Sequence, residues 1–292
     1  MPTIHPPNSA PFLGASIFKL AELQEGLPAI LGCGYDGTTS FRPGTRWGPD
    51  AFRSVSDEAI ETFSPAQNRD LKDITFADLG NLEIPYGAPE PVVELLYQAT
   101  LEILKTGAIP IILGGEHSIS PGSIKAVFEK HPDLVVVQFD AHADLRHEWN
   151  GTPNSHACAM RRVLDFLPAD QLLQVGIRSG TRDEFAEMGD RLIAPTASAL
   201  SAALPKEAPL YITFDLDLFD PSLLSGTGTP EPGGIDWATF EAMLALLKGA
   251  NIVGLDIVEL APTLDPSGVS PVVAAKMLRE WLLTLPVPET RE

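Results

Sequence analysis

The sequence predicts an α/β protein: one three-layer α/β/α domain with a mainly parallel sheet of about eight strands. Three observations lead there. Short, continuously apolar and β-branched runs recur along the chain, as strands covered on both faces require. Segments of helical period separate most of them, and that alternation makes parallel strands joined by crossovers. No linker, charge block or internal repeat divides the 292 residues.

Residues 1–26 carry Pro2, Pro6, Pro7 and Pro11 and read as a loosely structured N-terminal extension of that single domain, residues 1–292. LPAIL (27–31) is the first strand. Residues 35–70, broken by Pro43, Gly44, Gly48, Pro49 and Pro65, read as a loop-rich crossover. DITFADL (73–79) is the next strand. Residues 89–106 place Val92, Val93, Leu96, Thr100, Ile103 and Leu104 on one helical face, and Gly107 stops the helix. AIPIIL (108–113) follows, then a helix that Ser120-Pro121 opens as N-cap and first residue and His131-Pro132 closes. DLVVVQF (133–139), QLLQVGI (171–177), RLIAP (191–195) and PLYITFDLDLF (209–219) are strands. Residues 236–248 form a helix that groups Phe240, Met243, Leu244 and Leu247. NIVGLDIV (251–258) is the last strand and 270–284 the last helix.

Composition narrows the function. With 44% hydrophobic and 20% charged residues the chain is an ordinary globular one. Acidic residues outnumber basic ones 39 to 20, a formal charge of −19 that argues against nucleic-acid binding and suits a cationic small molecule. Two cysteines, Cys33 and Cys158, make no disulfide framework, so a cytoplasmic location is expected. No apolar run approaches the roughly 18 residues that span a membrane, and no secretory signal is apparent.

Parallel sheets bind ligands beyond the carboxyl ends of their strands. Four predicted strands deliver acids or histidines there. Gly114-Gly115-Glu116-His117 follows 108–113, and Asp140-Ala141-His142-Ala143-Asp144 follows 133–139. Asp215 and Asp217 lie within 209–219, with Asp256 and Glu259 near the end of 251–258. Alternation along an extended backbone would aim Asp140, His142 and Asp144 to one side, and likewise Asp215 and Asp217. Four carboxylates in one cleft need neutralising. Two divalent cations would balance them, and the thiolate-free, carboxylate-rich set suits Mn²⁺ or a similar hard ion. A metal pair of that kind makes water nucleophilic near neutral pH.

Other motifs weigh less. Gly32-Cys33-Gly34-Tyr35-Asp36-Gly37 matches GxGxxG, but the proline-broken stretch after it opens no helix at once. Cys158 lacks the partners of a thiol nucleophile and reads as a small buried residue. His147 reads equally as a residue of the cleft entrance or of an exposed loop.

In order, YDGTTSFRPGTRWGP (35–49), FADLGNLEIPYG (76–87), GGEHSIS (114–120), FDAHADLR (139–146), SHACAMRR (155–162), FDLDLFDPS (214–222), GTGTPEPGG (226–234) and GLDIVELAP (254–262) span nearly the whole chain. With these motifs it resembles the ureohydrolases, the arginase and agmatinase family, and within it the agmatinase branch. The resemblance implies the family's three-layer fold and two Mn²⁺ per chain, one on His117, Asp140, Asp144 and Asp215, the other on Asp140, His142, Asp215 and Asp217. It implies that Glu259 binds the substrate guanidinium, that Asp144 carries a proton to the leaving nitrogen, and that His156 shuttles protons at the mouth. A homotrimer or homohexamer acting on a small cationic guanidino substrate, agmatine to putrescine and urea, is the implied function. Two departures stand out: Glu116 replaces the family's usual Asp, and Ala157 follows His156 where many relatives have Gly. The arginine-gripping loop of arginases is not matched by HEWNGTPNSHA (147–157). Open alternatives are another guanidino substrate, 4-guanidinobutyrate or arginine, and a non-catalytic oligomeric partner protein on the same fold.

Overall fold

The computed structural model describes residues 2–286. In chain order the strands are β1 (Ile4–His5), β2 (Ser16–Ile17), β3 (Pro28–Cys33), β4 (Phe63–Ser64), β5 (Arg69–Asp70), β6 (Ala77–Leu82), β7 (Ile109–Gly114), β8 (Val135–Phe139), β9 (Leu172–Val175), β10 (Leu192–Ile193), β11 (Leu210–Asp215) and β12 (Ile252–Val258). The helices are α1 (Gly48–Ala59), α2 (Pro89–Lys105), α3 (Ser120–Lys130), α4 (Ala159–Val163), α5 (Arg182–Met188), α6 (Ala197–Ala203), α7 (Trp237–Leu246) and α8 (Val269–Thr284).

The main sheet has ten strands in the order β1-β6-β3-β7-β12-β11-β8-β9-β10, with β2 also pairing with β6. Only the β1–β6 pair in this sheet is antiparallel among the described residues. β4 and β5 form a separate hairpin within the expected crossover. The mainly parallel sheet is as predicted, with two more strands. Both extra strands come from the N-terminal segment. That segment was expected to be loose, yet it pairs with β6 at two places and buries Phe12 completely. Phe12 N–H donates to the buried Asp78 carboxylate, which also takes two hydrogen bonds from Arg53.

Side chains along the strands alternate between the two faces of the sheet, as the two-residue period requires, and pack into three clusters. Ile30, Ile111, Val137 and Phe214 face Phe52 of α1, Phe240 of α7 and Trp281 of α8. Ala29, Leu31 and Ile112 face Val92, Leu96 and Ile103 of α2. Val136 and Tyr211 face α3 and α4 through Val127, Met160 and Val163. Burial on both faces explains why these strands read as unbroken apolar runs. Phe214 sits among Phe139, Phe219, Phe240 and Trp281 at ring separations of 5.5–6.3 Å.

Two strand boundaries differ from the sequence reading in ways that matter for the site or the sheet, and a third, the end of β8, falls where it was read. The segment 73–79 begins as a 3-10 turn, Leu71–Asp73, capped by Asp70, and its strand runs on to Leu82. The segment 209–219 is strand only to Asp215 and then turns. β8 ends at Phe139, so Asp140, His142 and Asp144 lie beyond it.

Candidate metal centre

β7, β12, β11 and β8 are consecutive neighbours at the middle of the sheet, so their carboxyl ends share one rim. β7 leads through Gly115 and Glu116 to His117, which opens a 3-10 turn into α3. Only glycine fits at 115: a Cβ there would lie 1.9 Å from the Tyr35 carbonyl oxygen. Beyond β8, His142 pairs in parallel fashion with Ser179, and Asp144 takes a left-handed backbone, φ 53°. Asp215 ends β11, and its carboxylate accepts from the Asp217 N–H at 2.9 Å, which curls the chain into the turn Leu216–Leu218. That turn, not strand alternation, presents Asp217. Glu259 follows β12 with φ 68°. Left-handed backbone at a non-glycine residue is strained and concentrates at functional sites. Two of the five such residues among those described are in this site.

Five of the six predicted ligands form two groups that share Asp140, Asp144 stands beside the first through His117, and Asp215 belongs to the first group only. His117 Nδ1 lies 3.1 Å from Asp140, 3.1 Å from Asp144 and 3.4 Å from Asp215. His142 Nδ1 lies 2.9 Å from Asp217 and 3.7 Å from Asp140. One ligand atom from each of His117, Asp140 and Asp215 falls within 4.8 Å of the others, and the same holds for Asp140, His142 and Asp217. Apart from half-buried His142, these side chains are buried.

Hydrogen bonds fix the His117 ring. Thr213 gives its only hydroxyl proton to Asp256 at 2.6 Å, so at 2.8 Å from the same oxygen His117 Nε2 must be the donor. Its Nδ1 is then left facing three carboxylates, where it can hold a proton or, unprotonated, a cation. Nδ1 and Asp217 Oδ2 are buried with no hydrogen-bond partner. Asp256, counted among the convergent acids on sequence, instead lies within β12 and holds Thr213 and Tyr211. A remote carboxylate orienting a ligating imidazole is a recurrent device of metal sites.

The electrostatics carry the same sign. Burial, then Asp144 and Asp217, push Asp140 up to about 7. Burial, then Asp217 and Asp140, hold Asp215 well above the carboxylate range. Burial opposes charge on His142, but Asp217 and Asp140 outweigh it and raise that ring to about 11. Burial likewise opposes charge on His117, and Asp140, Asp144 and Asp215 outweigh it. Protons are retained where carboxylates crowd, at the positions cations would take.

His156 and Glu259 stand beside the two groups. Glu259 Oε1 accepts from the His117 N–H at 2.8 Å and lies 3.9 Å from His156 Nδ1. Its Oε2 has no donor among the described residues. Burial, then Glu116, hold the Glu259 pKa well above normal. His156 Nε2 meets Ser40 Oγ at 3.0 Å. A cavity of about 210 Å³ opens on the site, and His142, Asp144, His156 and Asp215 line it with Arg146 and Trp149. Glu259 does not line it. The Arg146 guanidinium lies over the Trp149 ring at 4.1 Å and has no carboxylate partner among the described residues. His147 is exposed and does not line the cavity.

Sequence reasoning missed Ser40, Thr213, Arg146 and Trp149. Arg146 sits inside the FDAHADLR motif, and its nearness to Asp144 was the available signal. Ser40 lies inside the YDGTTSFRPGTRWGP motif, but its contact with His156 is made only by the tertiary fold.

The arginase family model matches residues 28–284. The chain belongs to the arginase family. An agmatinase of Halalkalibacterium halodurans is 36% identical over 275 residues, covering 91% of this chain and 95% of that one. An N(1)-aminopropylagmatine ureohydrolase of Thermococcus kodakarensis is 35% identical over 276 residues, covering 89% and 91%. The solved agmatine ureohydrolase of Thermoplasma volcanium superimposes with a TM-score of 0.79 at 30% identity, covering 89% and 90%. This member of the family is an agmatinase-like ureohydrolase, a hydrolase of amidine C–N bonds. No helix among the described residues is long and apolar enough to cross a membrane.

Proposed function

We propose that the chain hydrolyses agmatine to putrescine and urea with two manganese ions per chain. The reading rests on the two three-residue groups joined at Asp140. Oxygen-rich, thiolate-free donors suit manganese, and His117 Nδ1 and Asp217 Oδ2, buried without a hydrogen bond and close only to other groups of the site, are donor atoms a cation would satisfy. His117, Asp140, Asp144 and Asp215 would hold one ion, and Asp140, His142, Asp215 and Asp217 the other. Bound ions supply Lewis acidity that makes water nucleophilic near neutral pH.

The chain's own side chains do the rest. Glu259 binds the guanidinium through Oε2, the oxygen left open. Water adds to the guanidinium carbon, and the bond from that carbon to the substituted nitrogen breaks. Asp144 takes the proton of the attacking water and delivers it to that nitrogen, which leaves as the amine. His156 exchanges protons with solvent from the cavity wall. Agmatine is favoured by two of the three named relatives and by a net charge of −19, which attracts a dication. The chain is proposed to assemble as a homotrimer or homohexamer, and exposed Trp47 and Tyr86, which line one surface hollow, are apolar surface available to such a contact. Light scattering reads that mass directly.

One observation favours a second substrate. Arg146, unpaired in the cavity wall, offers a cation to an acidic tail such as that of 4-guanidinobutyrate. Urea release from agmatine, arginine and 4-guanidinobutyrate, with and without added Mn²⁺, decides. Manganese-dependent turnover with agmatine preferred supports the main reading. Preference for the guanidino acid, abolished by Arg146→Gln, moves the assignment to that substrate. Silence across the panel with metal bound leaves a non-catalytic partner protein.

A further inference from the structure

Glu116 is fully buried, yet no cation touches it among the described residues. All its partners are hydroxyl or amide donors. Thr38 N–H donates to Oε2 at 2.8 Å, Thr39 Oγ1 donates to Oε2 at 3.2 Å, and Thr38 Oγ1 and Ser118 Oγ donate to Oε1. A buried carboxylate is retained only where such bonds are complete. Three of the four come from the segment 37–42.

That segment crosses the site. Thr38 Oγ1, whose proton goes to Glu116, accepts the His156 N–H at 2.9 Å. Two residues on, Ser40 Oγ meets the His156 ring at Nε2. Arg42 then fastens the far end by donating to the Thr227 carbonyl at 2.8 Å. Thus one carboxylate holds a strap that grips His156 at its backbone and at its ring. Without Glu116, the Thr38 hydroxyl proton has no fixed acceptor, and the strap no buried anchor.

We propose that Glu116 is a positioning residue that places His156 over the cleft through Thr38 and Ser40. The claim about position stands on geometry alone, and its kinetic consequence rests on the hydrolase reading above. Glu116→Gln keeps the shape but cannot accept from both Thr38 donors with one oxygen. Thr38→Val is isosteric and removes the hydroxyl shared with His156. Either variant guards against the other failing to fold.

The test has two arms on the intact manganese-treated protein. In deuterium exchange, both variants are expected to lose protection at 37–42 and at 155–158 together, with α2, α3 and α8 unchanged. Unchanged exchange at 155–158 overturns the proposal, whether or not the protein has activity. In kinetics on agmatine, both variants are expected to lose kcat about 10- to 100-fold, the scale of a displaced catalytic group, with KM within about twofold. In a His156→Ala background the same substitutions are expected to cost less than about twofold. An equal loss in both backgrounds, or loss of bound manganese, overturns it. A wild type that releases no urea sinks the hydrolase reading, while the exchange arm still decides the strap.

Discussion

At the scale of single residues, Asp140 carries the most. It belongs to both groups and is pressed by Asp144 and Asp217. Asp140→Asn is expected to abolish urea release and reduce bound manganese, and elemental analysis beside the activity assay checks both. Full metal with full activity would refute the ligand assignment. His156→Ala should lower kcat by about 100-fold, the scale of general acid–base assistance, with metal content unchanged. Metal lost instead would make His156 a ligand. The candidate ligands were legible because His117, Asp140, His142, Asp144, Asp215 and Asp217 cluster in three short motifs. What was not legible was how Asp144 and Asp217 arrive. A left-handed backbone and a 3-10 turn are local tertiary outcomes, and residue alternation alone does not encode them.

At the scale of elements, the strand count was nearly right because covered strands advertise themselves as apolar runs. β1 and β2 are two residues long, too short to leave a periodic signal, so the N-terminal segment read as loose. The layer behind the ligands was also hidden. Thr213 and Asp256 sit on adjacent strands β11 and β12 in register with each other, and only pairing reveals that. Thr213→Val should free the His117 tautomer and weaken manganese binding by about 10- to 100-fold, with little loss of fold. Metal titration followed by calorimetry measures it, and an unchanged affinity would remove Thr213 and Asp256 from the account.

At the scale of the whole molecule, the crowded site makes stability depend on pH. Asp140 releases its proton near 7 when folded and near 3.8 when unfolded. The folded state therefore binds more protons between those values, and stability falls as pH rises through them. His142, raised to about 11 from 6.5, stabilises the fold fully below 6.5 and loses that contribution as pH rises toward 11. The metal-free protein should accordingly show a Tm that declines from pH 5 to 9, with manganese flattening the slope because it displaces those protons. A Tm that rises over this range without metal contradicts the assignment. The −19 charge should raise the KM for agmatine several-fold as salt shortens the screening length from about 30 Å to about 8 Å.

The joined groups draw on β7, β8 and β11, which lie far apart along the chain and adjacent only once the sheet is assembled. A growing polypeptide completes neither candidate group until Asp215 and Asp217 have been made and β11 has slotted between β8 and β12. Any cation held by these groups can therefore bind only after the centre of the sheet has formed.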